Sequence, residues 1–367
     1  MNAEAERVLE KLAGAPRVGR LEPCYSRGWD ETNDKKAGFF DVSWQRPTSW
    51  GQAILQGPHL SVANPLAKEP NPTLKNNADW TEIDLEALPE DFIPATAYQP
   101  SSPDIAESYG SWTIAGRPVR QVDAYRLVWR NYVGSTSGER TLQPALIPPG
   151  AMHVDVPFSM YLDSAIVAAV GTTMSSILLD FVTRSTGKSH IRGEIIQTLP
   201  FVETPLLRGV GTRNFLRLNC LTRAYAPLWE ELTGTEWTLK VPLRTARDRW
   251  RAANEIDAIV ALALGLSADE LTTIYRTQFP VLRGYDTTRD YFDANGRIVA
   301  KDVMKLQKDA WRKDPHARLT EAERTWMHPQ SKVSYTFLYP FATLDREADL
   351  KSCYARFSRD PGAYPEP

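Results

Sequence analysis

Apolar residues recur at helical spacing in the middle and later parts of the chain and alternate or bunch in its first half. Ile166, Val167, Val170, Ile177, Leu178, Phe181 and Val182 predict one long helix over 164–186, with Asp163 as N-cap and Gly187 as its stop. Leu216, Leu218, Leu221, Tyr225, Leu228 and Trp229 predict a helical stretch over 213–232, and Ile256, Ile259, Val260 and Leu264 another over 243–264. Ser267 followed by Glu270 three residues later predicts a capping box that opens a third helix, ending near Phe279 and Pro280.

Strand signals precede and interleave with these helices. Residues 51–63 predict two short strands around a Gly57-Pro58 turn, and 64–77 a proline-rich polar loop. Residues 125–131 (YRLVWRN) are aromatic and branched, compatible with a strand, and the glycine-rich loop 134–138 follows. Residues 140–147 predict a second strand, with Pro144 indicating an edge position or a bulge because proline cannot donate to a ladder. Residues 189–201 (SHIRGEIIQTLPF) predict a basic loop that runs into a strand stopped at Pro200. The stretch beyond 285 is polar, mixed and aromatic-rich. Together these elements predict a mixed α/β (α+β) protein.

Composition narrows the class. With 42% apolar residues in 367, the chain can bury one or two cores, which excludes a disordered or low-complexity scaffold. Twenty-seven prolines argue against a coiled coil or long-helix bundle. Cys24, Cys220 and Cys353 are far apart and form no C-x-x-C pair, so they offer no zinc or redox motif and fit a reducing cytoplasm. The charged N-terminal stretch lacks the apolar core of a signal peptide, and no apolar run reaches the roughly 20 residues of a membrane span. The expected location is cytoplasmic, without membrane contact.

The formal net charge is -2, so the chain as a whole is not a basic nucleic-acid binder. Charge is uneven, however. Residues 1–111 carry 10 basic and 17 acidic side chains, 112–225 carry 12 and 7, and 226–367 carry 21 of each. Only the middle third is biased toward phosphate.

Motifs for catalysis are missing. Asn64-Pro65-Leu66-Ala67 lacks the second proline and the aromatic residue of an adenine methyltransferase tetrapeptide, and Gly209-Val210-Gly211 is only a G-x-G after a polar loop. Asp104 with Glu107 has no following lysine, as a magnesium nuclease would need. The five histidines show no metal-ligand spacing, and there is no nucleophile elbow or P-loop.

Six stretches in order resemble the C-terminal specificity part of large adenine-specific DNA methyltransferases: 53–75, 125–153, 217–230, 254–282, 291–298 and 339–357. The most specific are the E-R-T…A-L-I-P-P-G block beginning at Glu139 and the E-I-D-A-I-V-A…L-G-L-S-A-D-E-L block beginning at Glu255. The resemblance is to Eco57I-like restriction-modification enzymes and to the methyltransferases of DISARM- and BREX-type anti-phage systems. The 189–201 block also resembles the end of recognition domains in type I specificity subunits. The methyltransferase core of that family is missing from this sequence.

The resemblance implies a loop-rich segment over 1–44, a DNA target-recognition domain over 45–210, a helical segment over 211–284 and an irregular tail over 285–367. It implies double-stranded DNA as ligand and an adenine methyltransferase catalytic domain or subunit as partner, with other defence-system subunits as further partners. S-adenosylmethionine is then expected in the catalytic partner, with no cofactor and no metal in this chain.

Recognition needs phosphate contacts for register and a few side chains for base edges. Arg130, Arg140, Lys188, His190 and Arg192 sit at loop edges of the basic segment, and Ser135, Thr136 and Ser137 can donate to phosphates. These eight residues are the expected DNA-binding set. Arg140 reads equally as a salt bridge to Glu139 or Asp123, and Arg130 as a stem lying along the core. Helix C-terminal charge complementarity alone explains Lys188. Two other functions stay open: a module that docks to a methyltransferase or helicase without reading sequence, and an enzyme with an unrecognised site.

Overall fold

The computed structural model describes residues 3–132, 139–154 and 156–359. It is mixed α/β. At its centre is a four-stranded antiparallel sheet in the order Cys24–Ser26, Pro157–Tyr161, Arg126–Arg130, Pro144–Ile147. Pro144 therefore lies on an edge strand, where its missing N–H costs no ladder bond.

Alternation along the central strand divides its side chains between two layers. Leu127 and Trp129 face a large core shared with the helices, together with Leu146 and Met160 of neighbouring strands. Val128 faces the other way, joining Leu55, Leu60, Ala145 and Ile147 beneath the loop-rich N-terminal segment. A further cluster around Trp29, Phe40, Tyr98 and Tyr109 consolidates that segment. Its antiparallel pair Phe40–Gln45 and Thr96–Pro100 joins residues that are far apart in sequence.

The helical layer differs from the sequence expectation, first in its longest helix. The stretch predicted as one helix is two, Ser164–Met174 and Ile177–Ser185, bent by 73°. Thr172, Thr173 and Ser175 all donate to carbonyls four residues back, and the Ser176 side chain then caps the second helix by accepting from the Leu179 amide. The buried Asp257 carboxylate accepts from the Ile177 amide at 2.8 Å, occupying the positive end of the second helix. The stop at Gly187 is as expected: its φ is +64°, and its amide bonds the Arg184 carbonyl at 3.1 Å.

The stretch 213–232 likewise divides, into Thr212–Asn219 and Ala226–Thr233. Ala246–Ala263 and Ala268–Gln278 form as predicted, the latter with the Ser267/Glu270 capping box. No strand follows the basic loop at 189–201. A single helical turn, Gly193–Ile196, stands there, because Gly193 packs on the Tyr25 ring and Leu199 gives its carbonyl to the Val18 amide.

Beyond 285 the chain has more regular structure than its polar composition suggests. It holds the helix Lys301–Lys313, the hairpin Thr325–Met327 with Ser334–Thr336, and the helix Arg346–Arg359. The last helix returns to the main core through Leu350, Cys353 and Phe357. Residues 291–341 form their own small cluster around Val303, Met304, Phe337 and Phe341. Among the described residues, no single helix is long and apolar enough to cross a membrane.

Candidate nucleic-acid interface

The end of the central strand organises the predicted binding residues. Trp129 is fully buried, and its indole N–H donates to the Ile191 carbonyl at 2.6 Å. The Ile191 amide in turn donates to the Asn131 carbonyl at 2.7 Å, and the Ile191 side chain is buried in the helical core. Tyr132 and His190 complete the junction as an antiparallel bridge, their rings 5.6 Å apart and edge-on. Ile191 is thus held at its amide, its carbonyl and its side chain. The loop from Gly187 to Arg192 is fastened to the strand end by these bonds.

That fastening turns Lys188, His190 and Arg192 outward, and all three are exposed. None of them takes part in an ion pair with a described residue, so their donors remain available to a ligand. Tyr132, more than half exposed, lies beside them and was not singled out from the sequence. The signal that points to it is its position directly after YRLVWRN, where a strand ends.

The other predicted residues go elsewhere. Arg140 is nearly buried, 10% exposed, with its Nε 2.7 Å from an Asp180 oxygen and its Nη2 2.8 Å from the Ser175 carbonyl. Asp180 is fully buried and also accepts from Arg184 at 3.0 Å and from the Thr141 amide at 3.0 Å. Arg140 is a core ion-pair residue, and its partner is neither Glu139 nor Asp123. Arg130 points to the face of the sheet opposite Trp129, toward the N-terminal layer near Gly57. Its Nη1 reaches Gln143 at 3.4 Å, and burial lowers its pKa. Ser135, Thr136 and Ser137 lie outside the described residues.

Arg126, two residues before Val128 on the same sheet face, was also missed by sequence reasoning. It is fully buried, donates to the Ala151 carbonyl and lies over the Tyr109 ring, with its guanidinium carbon 5.5 Å from the centroid. Burial lowers its pKa too. His153 is fully buried nearby, with Nε2 2.8 Å from the Ser159 hydroxyl, and burial holds its pKa well below the usual imidazole range. These are polar supports of the sheet's inner face.

Among the described residues, no group of three or more His, Cys, Asp or Glu side chains is arranged to hold a metal ion. All three cysteines are free thiols. No protein-family model matches the chain, and no curated protein matches it.

Proposed function

We propose that this chain is a double-stranded-DNA recognition module of an adenine-specific DNA methyltransferase in a restriction-modification or anti-phage system. Methyl transfer and S-adenosylmethionine belong, in this reading, to a catalytic domain or subunit with which it works in the cytoplasm. The observation that carries the reading is the fastened loop. Lys188, His190 and Arg192 make no ion pair with a described residue and project from a hydrogen-bonded sheet end, as a phosphate- and base-contacting loop must. The ordered sequence blocks that resemble specificity regions supply the target class. The shift of Arg140 and Arg130 into structural roles leaves the exposed loop as the contact surface.

Selection of the full chain against a randomised duplex library tests this directly. Enrichment of a defined motif is the expected result, and recovery of unselected sequence only would overturn it.

A second reading, a docking module that reads no sequence, has one observation in its favour. Among the described residues, five of the eight exposed large hydrophobics, Ile298, Leu306, Met327, Val333 and Leu338, fall within 298–338. Such a concentration suits a protein partner. Under that reading, duplex binding by the chain alone is absent or independent of salt.

A further inference from the structure

A cavity of about 420 Å³ opens where the Thr212–Asn219 helix, the loop after Thr233, the Ala246–Ala263 helix and the Arg346–Arg359 helix converge. It lies within the size range of small-molecule sites, which run from roughly 300 to 1,000 Å³. It shares no lining residue with the fastened loop.

Local sequence sets the character of its wall. Arg213 and Arg217 are four residues apart on one helix and so share a face. They enter that helix from a π-helical turn, Leu207–Gly211, an irregularity that often accompanies functional sites. Gly211 packs closely there, since a Cβ would meet the Thr172 methyl at 3.2 Å. Like charges at this spacing repel, and a helix bearing only structural arginines gains nothing from the pairing.

Neither arginine forms an ion pair with a described carboxylate. Arg217 Nε donates to the Val241 carbonyl at 3.1 Å, which pins the guanidinium and leaves its terminal nitrogens without a hydrogen bond to a described residue. Arg217 is half-buried, and burial, followed by the charge of Arg213, lowers its pKa. Arg213 lies over the Trp229 ring, its guanidinium carbon 5.8 Å from the centroid, and pairs with no described carboxylate. Lys240 adds a third cation from the loop, exposed and without an ion pair to a described residue.

Two acids, Glu236 and Glu255, also line the cavity. Glu255 accepts from Asn214 at 2.6 Å and from Arg356 at 2.5 Å, so that pair closes on itself. Glu236 lies on the exposed loop, and the charges acting on Arg217 are those of Arg213, Asp248 and Glu255. Arg213, Arg217 and Lys240 thus face a concave space that Thr235, Glu236 and Thr238 line on the loop side and Trp229, Val241 and Phe357 on the apolar side.

We infer that this cavity binds a small phosphorylated molecule, its phosphate held by Arg213, Arg217 and Lys240. Phosphate satisfies guanidinium forks in pairs and removes the repulsion between Arg213 and Arg217, which a monovalent anion does only in part. The apolar walls then take the organic remainder. This site is independent of the DNA reading.

The shared chemistry is a phosphate dianion, and it has two sources, a small ligand or the backbone of a duplex. Isothermal titration of the full chain with pyrophosphate at fixed ionic strength tests the site. Saturable one-to-one binding is expected, weakened at least tenfold in Arg213→Gln and several-fold in Lys240→Gln. Lys240 is exposed, so its substitution leaves folding intact, and unchanged thermal melting verifies this. Lys188→Gln/Arg192→Gln should bind pyrophosphate as the parent does, which separates this site from the DNA loop. No saturable binding at millimolar pyrophosphate, or binding insensitive to both cavity substitutions, overturns the inference. So does displacement of bound pyrophosphate by duplex DNA at equal phosphate, which would make the cavity a backbone contact.

Discussion

Arg140 and Asp180 form a buried ion pair, Nε to Oδ2 at 2.7 Å, that joins the start of the edge-strand segment to the Ile177–Ser185 helix. Asp180 is fully buried, so its charge depends on Arg140, Arg184 and the Thr141 amide. Removing one partner of a buried pair costs up to about 3–5 kcal/mol, and Arg184 and the Thr141 amide, which still face Asp180, hold the loss toward the lower end. Arg140→Ala should therefore lower unfolding stability by that order in urea titration. Arg140→Lys should recover only part of it, because a single ammonium cannot serve both Asp180 and the Ser175 carbonyl. An unchanged unfolding midpoint in Arg140→Ala would return this residue to the surface role expected from sequence.

Asp257 makes stability depend on pH. Burial, the largest effect, raises its carboxyl pKa from 3.8 to about 6. The folded protein thus holds a proton that the unfolded chain has lost between those values. The contribution is fully present below pH 3.8 and is lost as pH rises through about 6, worth on the order of 3 kcal/mol. Asp257→Asn keeps an oxygen for the Ile177 amide and carries no charge. It should melt near the parent at pH 4 and above it at pH 7.5. A parent-minus-variant difference that does not change with pH would contradict this.

Trp129 controls the fastened loop through one hydrogen bond. Trp129→Phe leaves the Ile191 carbonyl without its donor in a buried position, a cost of about 1–3 kcal/mol. Hydrogen exchange should show faster exchange at the Ile191 amide, with the Ala246–Ala263 helix amides still protected. Equal protection in parent and variant would mean that the Asn131 bond and the buried side chain hold the loop alone.

Local signals were legible where local physics decides. The Ser267/Glu270 box and the glycine stop at 187 are short-range hydrogen-bond patterns, and both occur as read. The edge position of Pro144 also follows from a single missing donor. What failed depends on partners distant in sequence. The break at Ser176 needs Asp257, 80 residues away, to hold the Ile177 amide, and no periodicity in 164–186 carries that information. Arg140 looked like a loop cation because its acid lies 40 residues on. Of the expected contact residues, Lys188, His190 and Arg192 come together at the sheet end, a grouping their own spacing already implied. Tyr132 joins them only through strand-to-loop pairing.

DNA recognition by this chain requires the fastened loop to meet a duplex. Each Lys or Arg that neutralises a phosphate contributes about 0.9 to the slope of log affinity against log salt. Duplex affinity of the full chain, followed across salt, should fall steeply for the parent. For Lys188→Ala/Arg192→Ala it should be weaker, with a slope shallower by about 2 and the melting temperature unchanged. Parent and double variant with the same slope, or a parent whose binding ignores salt, would contradict the claim that this loop addresses DNA.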